Sequence, residues 1–296
     1  MASGNLKEPP LVVIVGPTAS GKTSLAIEIA EKFDGEIICA DSRTVYRGMD
    51  IGTAKPTLDE QTRVPHWGLD LVEPGERFSA ADFKRYAIAK IKDIKSRGHM
   101  PILVGGTGLY IDAVVFDYQF GETVDADQRR ELEKLSIEEL HVYCIEHNII
   151  LPENKFNKRY VIRKIEQGNE TPKRKNAPIS TCIIVGIATD RDELRKRIEA
   201  RTEQLFEDGV VEEATILGKK YGWNSEAMTG NIYPLVHLYL KNEISLQEMK
   251  EKFTTVDWQL AKRQLTWLKR NQYIKWLSLT EAKDYLIQRL ANEHKS

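Results

Sequence analysis

The chain has 296 residues, 41% apolar and 29% charged, with a net charge of −1, which is long enough for a full core and rules out a disordered or strongly polycationic protein. Cys39, Cys144 and Cys182 lie far apart in no C-x-x-C pair, and the six histidines make no H-E-x-x-H or finger pattern, which argues against a disulfide framework and a structural zinc. No apolar run approaches the ~20 residues of a membrane span, and MASGNLKEPP lacks a signal peptide's apolar core, so a cytoplasmic protein without a membrane partner is expected.

In chain order, LVVIV at 11–15 is short, β-branched and bounded by Pro9-Pro10 and Gly16, which predicts a buried strand. GPTASGKT follows. Gly16, Pro17, Thr18, Ala19, Ser20, Gly21, Lys22 and Thr23 fit G-x-x-x-x-G-K-[ST], and SLAIEIAEKF at 24–33 then carries apolar residues at helical spacing. A glycine loop between strand and helix is the context in which this motif holds phosphate. Its backbone N–H groups curl around an anion and the helix N-terminus adds partial positive charge. Lys22 supplies an ammonium, and Thr23 a hydroxyl able to ligate Mg²⁺.

EIICA at 36–40 predicts a second strand ending at Asp41. FSAADFKRYAIAKIKDIKSRG at 78–98 predicts an amphipathic helix capped by Ser79 and ended by Gly98. MPILVGG at 100–106 is a third strand. Strands alternating with helices imply an α/β fold, a parallel sheet flanked by helices, with ligands at the carboxyl ends of the strands. Gly16, Asp41 and Gly105-Gly106-Thr107 all fall at such ends.

From about 117 to 178 the pattern changes. DADQRRELEKLSIEELHVYCIEHNI is charged and helical. The next stretch carries Lys155, Lys158, Arg159, Arg163, Lys164, Lys173, Arg174 and Lys175 against Glu166 and Glu170. STCIIVGIAT at 180–189 returns to strand character, so 117–178 is expected to be a helical insertion into a core formed by 1–116 and 179–296. DRDELRKRIEARTEQLFEDG at 190–209 predicts a charged helix, and the remainder through DWQLAKRQLTWLKRNQYIKWL is predicted helical.

A nucleotide hydrolase pairs its phosphate loop with a strand-end aspartate that helps to hold Mg²⁺, yet MPILVGG ends in glycines. The carboxylate at a clear strand end is Asp41, in ADSRTVYRGMDIGTAKP at 40–56. It either closes a turn, helps to hold a metal, or serves as general base toward a phosphate-bearing ligand.

GPTASGKT, DSRTVYRGMDIGTAKP, RVP-H at 63–66, FSAADFKR, LVGGTGLY and LAKRQLTWLK together resemble the bacterial tRNA dimethylallyltransferases, over about 11–278. The resemblance implies a P-loop nucleotide-kinase-like fold whose insertion grips a tRNA anticodon stem-loop, acting as a monomer with Mg²⁺. The reaction it implies is transfer of a dimethylallyl group from dimethylallyl diphosphate to N6 of the adenine 3′ to the anticodon. On the matching positions, Asp41 is the base, Thr107 touches the adenosine, and Lys22 and Arg201 serve the diphosphate. Without the resemblance, Arg201 reads as part of a solvated helix face. The residues facing RNA would be Asp41, Ser42, Arg43, Thr44, Thr107, Arg129, Arg159, Tyr160, Val161, Ile162, Arg163, Lys262, Arg263, Gln264, Thr266, Trp267 and Lys269. For Leu265 and Trp267 core packing is expected in place of contact with RNA. Gly230-Asn231-Ile232 stands where the family carries a Gly-Tyr-Arg-like motif, and Arg163-Lys164-Ile165-Glu166 where it carries R-A-L-E. These departures bear on the RNA side and leave the diphosphate side intact. The competing readings are prenylation of free AMP or ADP, a small-molecule kinase using the same loop, and an RNA-binding protein without catalysis.

Overall fold

The computed structural model describes residues 8–120, 126–168, 173–179 and 182–293; residues 1–7, Asp125, Glu170, Ser180 and Thr181 of the stretches above lie outside them. The chain divides into two compact units, Met1–Val115 with Ala177–Ser296, and Phe116–Asn176.

The larger unit is built on a parallel sheet. Its strands are β1 (Leu11–Val15), β2 (Gly35–Cys39), β3 (His66–Trp67), β4 (Met100–Gly105), β5 (Cys182–Ile187) and β6 (Lys275–Leu277), in spatial order β3-β2-β4-β1-β5-β6. β1 lies at the centre, with Val15 in register with Gly105 of β4 on one side and with Gly186 of β5 on the other. All five of its residues are at most 1% exposed, as a strand covered on both faces requires. Burying each such side chain contributes about 1.5–3 kcal/mol relative to leaving it in water.

Helices α1 (Lys22–Lys32), α2 (Leu58–Arg63), α3 (Ala80–Ser96) and α4 (Gly108–Val115) follow the first strands. α3 begins as the sequence predicts. The Ser79 hydroxyl accepts from the Asp82 N–H while the Asp82 carboxylate accepts from the Ser79 N–H, satisfying two donors that a bare helix end leaves unpaired. The insertion holds α5 (Ala126–Lys134), α6 (Ile137–Glu146) and α7 (Lys158–Gln167) around a small core of Leu132, Leu140, Cys144, Val161, Ile162 and Ile165. Past β5 come α8 (Arg191–Glu207), α9 (Val210–Tyr221), a short 3₁₀ turn (Ala227–Thr229), α10 (Tyr233–Leu240), α11 (Leu246–Leu268) and α12 (Leu279–Glu293).

Two elements depart from the expected pattern. The C-terminal stretch is not helical throughout: α11 ends at Leu268 and Lys275–Leu277 extends the sheet along β5. A strand of three residues is too short to display a period of two. β3, with two residues, is missed for the same reason. No helix among the described residues is long and apolar enough to cross a membrane.

Candidate active site

The site forms at the carboxyl ends of β1, β2 and β4. After β1 the loop turns through Ala19 and Gly21, both with left-handed backbone at φ 59° and 85°. Only glycine adopts such a conformation without steric cost, which explains the fixed Gly21 of the motif. α1 then starts at Lys22 with no side-chain cap, whereas α2, α3, α6 and α11 all open with capping boxes. The first N–H groups of α1 are therefore not taken by a cap, which is what an anion-binding helix start requires.

Lys22 folds back over the loop, its Nζ donating to the Pro17 carbonyl at 3.0 Å. Burial lowers its pKa to about 8; Asp41 and Asp257 act to raise it and Arg201 to lower it further. Thr23 follows in the first turn, partly exposed. Arg201 of α8 bonds the Thr18 hydroxyl and lies 3.5 Å from the Asp257 carboxylate. Arg201 is thus placed beside the loop and is not part of a solvated helix face.

Asp41 follows β2 after one residue, Ala40. Its Oδ1 accepts from the Arg43 N–H at 2.8 Å, closing an Asx turn. Thr107, after β4, lies between the loop and Asp41 in the strand order β2-β4-β1. Its Oγ1 accepts from the Ser42 N–H at 3.1 Å. Nearby, burial pushes the Cys39 thiol up to about 12, with Asp41 adding to the effect, so Cys39 is no nucleophile at neutral pH.

Asp257 and Arg197 lie outside every motif quoted above, and Gln264, inside LAKRQLTWLK, makes a contact that the sequence did not disclose. Gln264 of α11 accepts from the Thr18 N–H at 2.8 Å, fastening the phosphate loop to α11. Asp257, one of the few buried charged residues, faces Arg201 and accepts from Asn231 at 3.3 Å. Arg197, one turn before Arg201, reaches the Ser20 carbonyl at 3.5 Å. A signal existed for Asp257: Met249, Phe253, Asp257 and Ala261 form an i, i+4 row, and a carboxylate in an otherwise apolar row marks a buried charge.

The comparisons with known proteins follow this geometry. Residues 44–271 match the family model described as IPP transferase; the match begins after the phosphate loop and Asp41. A tRNA dimethylallyltransferase of Acetivibrio thermocellus is 39% identical over 288 residues, spanning 92% of this chain and 92% of that protein. The chain belongs to the tRNA dimethylallyltransferase family. Among solved structures, the full-length tRNA isopentenylpyrophosphate transferase of Bacillus halodurans superposes with a TM-score of 0.74 at 34% identity, covering 98% of this chain and 99% of that one. A eukaryotic dimethylallyltransferase acting on tRNA, 24% identical over 92% of this chain and 74% of its own, has the same fold with a TM-score of 0.76.

Within this dimethylallyltransferase the residues expected to face RNA divide into three groups. Ser42 is partly exposed beside Asp41, and Lys262, Arg263, Thr266 and Lys269 are exposed along α11. In the insertion Arg159, Tyr160 and Arg163 are exposed at the surface of α7. A second group is committed inside the protein. Val161 and Ile162 belong to the core of the insertion, and Thr44 is buried. Arg129 pairs with the buried Glu166 carboxylate at 2.6 Å, and with Glu133. Gln264 and Trp267 turn inward on α11. The Trp267 indole N–H donates to the buried Asp112 carboxylate at 2.7 Å, and its ring packs so closely on α4 that a Cβ at Gly108 would come within 2.1 Å of it. Leu265 packs on Leu194, Ile198 and Ala261. Arg43 forms the third group: its guanidinium is held by the protein, at 3.1 Å from the Glu226 carbonyl and 3.2 Å from the Thr229 hydroxyl.

Proposed function

We propose that the chain transfers the dimethylallyl group of dimethylallyl diphosphate to N6 of an adenine in the anticodon loop of tRNA. One observation carries the reading: a carboxylate, Asp41, stands across Thr107 from a phosphate cradle, close enough to act on the charge of Lys22. A leaving diphosphate and a base that must accept a proton need that pairing. The N6 amine attacks C1, the C1–O bond breaks, and the electron pair leaves with the diphosphate. The N6 proton goes to the Asp41 oxygen not engaged by Arg43. Lys22, Arg201 and the first N–H groups of α1 stabilise the charge developing on the leaving group.

Thr23 and the diphosphate oxygens are hard oxygen donors of the kind that Mg²⁺ takes. Mg²⁺ keeps several waters and is commonly held through substrate phosphates. A bound Mg²⁺ would add neutralising charge at the leaving group. The exposed bases of α7 and α11 are suited to the RNA backbone, which would make binding salt-sensitive. Basic residues exposed in each unit favour an RNA acceptor over free AMP or ADP.

The test is incubation with dimethylallyl diphosphate, Mg²⁺ and either an anticodon stem-loop or AMP, followed by digestion and mass analysis of adenosine. The expected result is a prenyl mass gain on the stem-loop, lost by about 10²–10⁴-fold in rate in Asp41→Asn, the range for removing a general base. Gain on AMP alone would overturn the choice of acceptor, and full activity of Asp41→Asn would overturn the base.

A further inference from the structure

The 41–56 loop, which carries both Asp41 and the DIGTAKP stretch, is held at each end by the same neighbouring segment. At its far end the Glu213 carboxylate of α9 accepts from three successive backbone N–H groups, of Asp50, Ile51 and Gly52, at 2.8, 2.6 and 2.9 Å. The Tyr233 hydroxyl donates to the same carboxylate at 2.9 Å. Lys55 is buried and donates to the Tyr46 carbonyl at 3.1 Å and to Asp70 at 2.6 Å. DIGTAKP is thus a device that fixes backbone, and none of these groups is spare for a ligand.

At the near end the Arg43 guanidinium reaches the Glu226 carbonyl at 3.1 Å, the Ala227 carbonyl at 3.4 Å and the Thr229 hydroxyl at 3.2 Å. Thr229 is itself oriented, donating to the Glu226 carbonyl at 2.6 Å. Two carbonyls and a hydroxyl match a guanidinium's fixed fork of donors. The backbone N–H of the same residue donates to Asp41 Oδ1. These acceptors belong to the 226–229 turn, directly before Gly230-Asn231-Ile232, where the sequence leaves the family pattern.

We propose that Arg43 is a positioning residue: clamped by the 226–229 turn, it fixes the backbone N–H that orients the Asp41 carboxylate, instead of gripping an RNA phosphate. The claim rests on Asp41 being the base. It gives the turn beside the departing segment a part in the reaction without any contact with RNA. A side chain anchored in three places holds its own backbone still, and the Asx turn passes that order to one oxygen of Asp41. The other oxygen is then presented to the N6 proton in a constant direction.

The two roles differ in what salt does. A phosphate contact contributes about 0.7–0.9 to the slope of log K against log salt, whereas a clamp inside the protein contributes nothing. The experiment compares the full-length protein with Arg43→Met and Thr229→Val. It measures binding of an anticodon stem-loop across a salt series, then kcat and KM for that RNA, with dimethylallyl diphosphate binding as the check of folding. For Arg43→Met the expected result is an unchanged salt slope, an unchanged KM for RNA, and kcat lower by about 10- to 100-fold, the scale of a misplaced catalytic group. Thr229→Val should lower kcat by about 2- to 10-fold, the worth of one hydrogen bond, with KM unchanged. It keeps the test open if Arg43→Met does not fold. A slope reduced by about 0.7–0.9 in Arg43→Met, or an unchanged kcat in Thr229→Val, would overturn the proposal. The binding arm involves no chemistry, and Asp41→Asn in the same assay reports separately on the base.

Discussion

Lys22 offers the sharpest test of the cradle, because burial has moved its titration to about 8, within easy experimental reach. In the proposed reaction the charged form binds the diphosphate. In the complex the anion raises the pKa, so affinity is complete below about pH 8 and is lost as pH rises through it. With a pKa of about 8, the ammonium is about 90% charged at pH 7 and about 3% charged at pH 9.5. The dissociation constant for dimethylallyl diphosphate should therefore rise by about 7- to 30-fold between those values, the more the larger the contribution of the charge to binding, where a lysine at its ordinary 10.5 would give a rise of only about 1.1-fold. Isothermal titration calorimetry at constant Mg²⁺ measures it, with Lys22→Met as the reference. That variant should bind about 10- to 100-fold more weakly at pH 7, the worth of a charge-assisted hydrogen bond, and should show no such rise. A flat profile in the natural protein, or an equal rise in Lys22→Met, would refute the assignment of Lys22 to the diphosphate. The effect on folding runs the other way. A pKa depressed below the unfolded value means that charged Lys22 costs stability below about pH 8, and the cost shrinks as pH rises from there toward 10.5.

Trp267→Phe should lower the melting temperature by about 3–10 °C, since it removes one hydrogen bond to a buried carboxylate, worth about 1.5–3 kcal/mol; an unchanged melting curve would show that the Asp112 contact contributes nothing. Arg129→Met strands the buried Glu166 and should cost about 3–5 kcal/mol, opening the insertion to protease while diphosphate binding survives. Removing both partners, in Arg129→Met with Glu166→Met, should restore much of that resistance. A variant that lost only salt-dependent RNA affinity would instead make Arg129 a phosphate contact.

Much of this protein is determined locally. LVVIV, GPTASGKT and SLAIEIAEKF specify a buried strand, a tight glycine loop and a helix, because a run of β-branched residues, a left-handed glycine and a helical period each act within a few residues. Ser79 and Asp82 likewise set the start of α3 without help from the rest of the chain. The placement of Asp41, Thr107 and Gly16 at strand ends followed from the alternation of strands and helices alone.

Tertiary structure decided which polar groups are spent on the protein itself. Sequence shows that Arg43, Arg129, Gln264 and Trp267 are polar or amphipathic, but not that Thr229, Glu166, Thr18 and Asp112 wait for them. Each pair is separated by tens to hundreds of positions and forms only when the helices pack. The pKa of Lys22 is decided the same way, since the groups that bury and surround it come from α8, α11 and the end of β2. Periodicity tells which face of a helix is inward; only packing tells what meets it there.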